Sequence, residues 1–303
     1  MSRRGFITGL GALGVIAAVN VSRAAESVKT GKRTICVFSK HLQFLDYDRM
    51  AETAADIGFD GVDLTVRPGG HVLPENVERD LPKAVKAVRA AGLKAPMMAT
   101  AVTDPADPLT DRVLKTAADN GIIYYRLGYY LYDKERPLPD ILDEHRRKVE
   151  GLAEINRSLG LHGAYQNHAG ENVGAPVWDL WYLFKDLDPQ WIGVNYDIRH
   201  ATVEGGNSWV LGLRLLHNYI RGIVIKDFKW SQINGSWSVE NVPLGEGMVD
   251  FTRYFGILDG YGFPELITTH FEYELEETLE STVPAMRTDL KTLKTMLTEA
   301  GVD

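Results

Sequence analysis

"MAETAADIGFDGVDLTV", residues Met50 to Val66, contains the unit from which the whole chain is built. An amphipathic helical stretch runs up to Gly58, and the short apolar strand "GVDLTV" follows almost at once. A glycine suits the join because the residue after a helix often takes a left-handed backbone, which costs glycine little. The unit recurs as "AVKAVRAAGLKAPMMAT", "VLKTAADNGIIYYRLG" and "LAEINRSLGLHGAYQNH", with Gly92, Gly121 and Gly160 in the stop position. With the opening "RTICVFS" and later units, eight strands are expected to start near residues 34, 62, 94, 122, 162, 192, 222 and 266. Strands alternating with helices imply parallel pairing and right-handed crossovers. Eight such units predict an α/β fold, a (β/α)8 TIM barrel in a single domain spanning 26–303. A doubly wound open sheet is the alternative, but no glycine-rich phosphate loop follows the first strand.

The chain has 303 residues, 45% hydrophobic, with 29 glycines and 13 prolines, an ordinary composition for a large buried core. Cys36 is the single cysteine, so no disulfide framework exists, and it reads as a small core residue. Residues 1–25 have the charged, apolar, small-residue order of an export signal. Arg3-Arg4 followed by Gly5 and Phe6 resembles a twin-arginine signal, which implies a periplasmic mature protein. The apolar run is too short for a stable membrane anchor. Its removal takes away Arg3, Arg4 and Arg23 and no acid, leaving 30 basic against 41 acidic residues. Such a balance disfavours nucleic acid and polybasic membrane contact, and points to small neutral molecules or metal cations as ligands. Homo-oligomerisation stays open.

In a barrel of this kind the chemistry lies where strands end and in the loops just after them. The first strand leads to Lys40, His41 and Gln43, the second to Arg67 and His71, and the fourth to Tyr129 and Tyr130. The fifth offers Gln166, Asn167, His168 and Glu171, and the sixth Asp197 and His200. The seventh gives Lys226 and Asp227, and the eighth His270, Glu272 and Glu274. Side chains two apart on a strand share a side, so Gln166, His168, Asp197, Lys226, His270 and Glu272 are expected to converge at the mouth. Imidazoles and carboxylates together suit a divalent ion such as Mn²⁺ or Zn²⁺, with Mg²⁺ or Co²⁺ as further options. Other histidines read differently: His145 as a solvated helix face, His217 as surface or packing, and His162 at the structural end of its strand.

These strand ends resemble the sugar phosphate isomerase/epimerase family, the xylose isomerase-like barrels that include ketose 3-epimerases and endonuclease IV. "GFDGVDL", "NYDIRHA", "KDF", "LGEGMVDF" and "FEYE" are similar to its strand-end motifs in order, from about Arg33 to Leu297. In "LGEGMVDF", Asp250 is a plausible helix cap. The resemblance implies metal ligands at the ends of the fifth to eighth strands, here Gln166, Asp197, Val224 and Glu272, with His270 as a substitute donor. Two positions depart from the family's glutamate and histidine: Gln166 is neutral and cannot be a general base, and Val224 cannot bind a cation.

The implied activity is isomerisation or epimerisation of a sugar, polyol or keto-sugar by metal-assisted proton abstraction next to a carbonyl. Glu272 is the expected base, tuned toward neutral pH by burial, with Lys226 and His200 supplying a second proton or holding a hydroxyl. His41, His71, Tyr129, Asn167, His168 and Trp230 are the expected substrate contacts. The missing second glutamate favours a one-base isomerase or a keto-sugar lyase over a two-base epimerase. A non-catalytic carbohydrate-binding barrel, with Trp230 or Trp237 stacking on sugar, is the competing reading. A nuclease is excluded by the acidic charge, the export signal and the missing histidine ligands.

Overall fold

In the computed structural model, which describes residues 33–302, strand follows helix in the expected rhythm. The proposed signal at residues 1–25 lies outside the described residues. Strands β1 (Thr34–Phe38), β2 (Gly61–Val66), β3 (Lys94–Thr100), β4 (Tyr124–Arg126), β5 (His162–Gln166), β6 (Ile192–Asp197) and β7 (Ile220–Ile225) enter the barrel in chain order. An antiparallel pair, β8 (Asp227–Ile233) and β9 (Ser236–Val242), then intervenes before β10 (Leu266–Thr269) closes the barrel between β7 and β1. Every barrel pairing is parallel. The fold is one TIM-barrel domain.

The stop glycines explain how helices hand over to strands. Helix α1 (Tyr47–Ile57) ends at Gly58, where φ is 103°, and Gly92, Gly121 and Gly160 also take positive φ, at 79°, 70° and 69°. Met50, Ala51, Ala54 and Ile57 of α1 are buried against the barrel, and such burial contributes about 1.5–3 kcal/mol for each large side chain. Helices α2 (Val77–Ala90), α3 (Pro108–Asp119), α4 (Leu138–Leu159) and α5 (Trp178–Phe184) complete the first five crossovers. After β6 come α6 (Ile198–Gly205) and α7 (Trp209–Leu216), then α8 (Phe251–Tyr261) and α9 (Leu279–Glu299). Asp250 caps α8, accepting from Arg253 N at 3.0 Å, as its position predicts. Among the described residues no helix is long and apolar enough to cross a membrane.

The stretch after β7 departs from the helix–strand rhythm and forms a hairpin. Its turn is Asn234-Gly235, with φ of 53° and 82°, the pair that a two-residue hairpin loop needs. The expected solvated position of His145 is corrected: its ring stacks on Tyr130 with centroids 4.1 Å apart, and it is half-buried. Tyr130 is likewise core rather than site wall, stacked on Tyr165 and donating to the Thr103 carbonyl.

His162 sits at the far end of the barrel from the mouth. Its Nδ1 lies 3.0 Å from the Gln190 carbonyl, Nε2 is buried without a partner, and burial pushes its pKa down to about 4. The unfolded chain therefore takes up this proton first as pH falls. Stability from His162 is complete above about 6.5 and is lost as pH drops toward about 4. Urea unfolding from pH 7 downward is expected to show a smaller loss for His162→Gln than for the unaltered chain. Equal slopes would refute this.

Candidate active site

Alternation along the strands directs one set of side chains into the barrel, and the last of them form the floor of the mouth. Asp197 ends β6, is fully buried and caps α6, accepting from His200 N at 3.1 Å. Lys226, just past β7, brings Nζ to 3.2 Å from Asp197 Oδ2 and 3.1 Å from Glu272 Oε2. His200 Nε2 lies 2.9 Å from the same Nζ. Gln166 donates from Nε2 to Asp197 Oδ2 at 2.7 Å, while its Oε1 accepts from Arg126 at 3.0 Å and the Tyr129 hydroxyl at 3.1 Å. His270 stacks on Phe38, with centroids 4.4 Å apart, and its Nδ1 lies 3.6 Å from Glu272 Oε1. The expected convergence is therefore present. His168 joins by lying over His200, with ring centroids 4.0 Å apart.

Charge in this buried cluster is well defined. Burial pushes the Asp197 carboxyl up, but the Lys226 charge above all brings it down to about 2, helped by the backbone N–H of His200. Burial also raises Glu272, yet the approach of His270 and the Lys226 charge outweigh it and hold this carboxyl far below the usual carboxylate range. That corrects the expectation of a glutamate tuned toward neutral pH: Glu272 is a firmly ionised, weak base. Burial drives His41, His168, His200 and His270 below the ordinary histidine value, so all four imidazoles are neutral at neutral pH.

Above this floor opens a polar cleft of about 460 Å³, lined by residues that include Lys40, His41, His168, Asn241, Glu272 and Tyr273. Its volume lies in the range of small-molecule sites. Lys226 and His200 are only 4% and 2% exposed and lie beneath Glu272 rather than in the cleft wall. Three expected substrate contacts are placed elsewhere. His71 is committed to structure, its Nδ1 3.2 Å from Ser39 Oγ and its Nε2 3.2 Å from the Leu45 carbonyl. Asn167 is fully buried and spends both ends of its amide on the backbone of Asp197. Trp230 stands on the hairpin, 42% exposed, packed edge-on to Phe228.

Sequence reading missed Arg126, Arg199, Asn241 and Asp63. Arg126 ends β4 and fixes Gln166 and Tyr129. Arg199 donates to Asn241 at 2.6 Å and lies 2.9 Å from His200 Nδ1. Asp63, inside β2, accepts from Thr268 and is pushed up to about 7 by burial. A signal existed for Asp63 and Arg126, since each is a charged residue within an otherwise buried strand.

The resemblance implies a divalent ion among Asp197, Glu272, Gln166 and His270, and the donor atoms do not fit one. Among the described residues no three His, Cys, Asp or Glu side chains are disposed to hold a common ion. Gln166 turns its amide nitrogen toward Asp197, Val224 is fully buried and apolar, and an ammonium stands between the two carboxylates.

Among curated proteins no sequence matches the chain. Its fold is shared with the 3-keto-D-glucoside 4-epimerase of E. coli, at TM-score 0.67 and 14% identity over 87% of this chain and 100% of that one. A D-allulose 3-epimerase from Methylomonas sp. matches at TM-score 0.63 and 16% identity, over 88% and 99% of the two chains. A xylose isomerase-like TIM barrel protein from Mycobacterium smegmatis, solved in complex with magnesium, matches at TM-score 0.67 and 14% identity, over 89% and 98%. The family model described as "Xylose isomerase-like TIM barrel" matches residues 51–296, most of the barrel traced above. The chain belongs to the xylose isomerase-like TIM barrel family.

Proposed function

We propose that this chain is a carbohydrate isomerase or epimerase-class enzyme that moves a proton at a carbon next to the carbonyl of a sugar or keto-sugar. The observation that carries the reading is a pair of neutral histidines in one polar cleft, one left with a donor and the other with an acceptor. His41 Nε2 accepts from Phe271 N at 3.0 Å, so its proton sits on Nδ1. A neutral imidazole in that state donates to a carbonyl oxygen and stabilises the enediolate that forms there. His168 Nδ1 lies 2.9 Å from the Ala169 carbonyl, which only accepts, and 3.2 Å from Asn172 Nδ2, which only donates; the shorter contact puts the proton on Nδ1 and leaves Nε2 to take one. Glu272, ionised and held from below by Lys226, is positioned to accept a hydrogen bond from a substrate hydroxyl. A single imidazole acceptor, with the further carboxylates of the cleft, Glu276 and Glu277, exposed to solvent, favours one-base isomerisation, or β-elimination where a leaving group lies beyond the carbanion, over two-base epimerisation.

Incubation with aldoses, ketoses and keto-glycosides in D2O, followed by proton NMR, tests this. Exchange of the hydrogen next to the carbonyl is expected, and His168→Asn is expected to slow it by about 10²–10⁴-fold. Because burial lowers the His168 pKa, turnover is expected to be flat above about pH 6.5 and to fall only on the acid side. Sugar binding without any exchange would instead support a carbohydrate-binding barrel.

Export is part of the proposal and rests on the sequence of residues 1–25. Replacing Arg3 and Arg4 by lysine is expected to leave the protein in the cytoplasmic fraction. Unchanged periplasmic recovery would argue against the twin-arginine route.

A further inference from the structure

We infer that the Lys226 ammonium is the resident cation of the barrel mouth, and that the chain holds no divalent ion between Asp197 and Glu272. The inference stands apart from the proposed reaction, because it concerns what occupies the floor of the site whether or not a sugar is turned over. Lys226 Nζ touches both carboxylates at once, at 3.2 and 3.1 Å, setting one positive charge against two negative ones. Its side chain is only 3% exposed, so it has no open path by which to swing aside into solvent.

The two carboxylates are matched to an ammonium, and the groups around them are mismatched to a metal. Metal coordination needs oxygen or nitrogen lone pairs, whereas Gln166 aims an N–H at Asp197. That orientation is fixed chemically. Arg126 can only donate, so Gln166 Oε1 must face it, and flipping the amide would set donor against donor. Val224 lies two residues before Lys226, on the same side of the strand, and offers only methyl groups. His270 is held face to face with Phe38, its ring planes 16° apart, which keeps it from turning toward a new ligand. A divalent ion entering here would meet the Lys226 charge, an amide donor and the Arg126 guanidinium behind it.

Mn²⁺ titration followed by EPR, with the mature protein purified without chelator, separates the outcomes. The unaltered chain is expected to be free of stoichiometric Mn, Zn, Mg or Co by elemental analysis and to show no saturable Mn²⁺ binding up to about 1 mM. Its melting temperature is expected to be the same with EDTA and with Mn²⁺. Lys226→Ala, which frees both carboxylates, is expected to bind Mn²⁺ at least tenfold more tightly. Should that variant fail to fold, Lys226→Gln, which keeps a donor but removes the charge, is measured in its place. A metal-loaded wild-type chain whose metal is lost in Asp197→Asn overturns the inference. A folded Lys226 variant with no gain in Mn²⁺ affinity overturns it equally, since the lysine would then not be what keeps the ion out.

Discussion

Asp197→Ala is expected to lower the stability of the folded chain by about 3–5 kcal/mol, the usual result of stranding one partner of a buried ion pair. Asp197 is fully buried and accepts from His200 N and Gln166 Nε2 while facing Lys226. Its removal uncaps α6 and leaves Lys226 with Glu272 as its one carboxylate. For a barrel of this size the loss corresponds to a fall of about 10 °C in melting temperature. Asp197→Asn keeps an oxygen to cap the helix but loses the charge, and is expected to fall between the two. Urea unfolding of the three proteins decides the matter, and a loss below about 1 kcal/mol for alanine would refute the argument.

Asp227→Ala is the second change of this size, and it acts on the route back from the hairpin. The Asp227 carboxylate accepts from four backbone N–H groups, those of Phe228, Gly245, Gly247 and Val249, at 2.8, 3.1, 3.0 and 3.2 Å. Two of these donors, on Phe228 and Val249, belong to buried residues, and each one stranded costs about 1–2 kcal/mol, so the loop after β9 is expected to lose about 2–4 kcal/mol of local stability. The fit also explains Gly247, where an added Cβ would lie 2.2 Å from Asp227 Oδ1. Hydrogen exchange should show faster opening of residues 243–249 and of the hairpin in Asp227→Ala, with Asp227→Asn intermediate. Unchanged protection of that loop would mean that other contacts hold it.

Much of the fold was legible because period and punctuation are local properties. The glycine after each early helix marked a left-handed residue in all four cases, and the strand starts lie within two residues of those expected. The hairpin does not follow from the helix–strand rhythm that reveals the barrel; its one local signal is the "NG" pair at Asn234-Gly235. Convergence of Gln166, Asp197, Lys226, His270 and Glu272 was also legible, since alternation fixes which side chains share a side. The sign of the Glu272 shift was not, because it depends on His270 and Lys226 arriving from different strands. Nor could sequence tell that both ring nitrogens of His71 would find partners at Ser39 and Leu45.

The Asn167 amide has a consequence for how the mouth can change. It accepts from Asp197 N at 2.8 Å and donates to Asp197 O at 2.9 Å, so a side chain makes the two bonds that one more residue of strand would have made. Strand β6 is thus held to its end although the neighbouring backbone has already turned away. The loop from Gly170 to Gly174 is thereby relieved of any part in fixing Asp197. What that loop holds instead is His168, through Asn172 Nδ2 at 3.2 Å from Nδ1, and the buried Val173, so a change there moves the rim of the cleft and leaves the anchored floor in place.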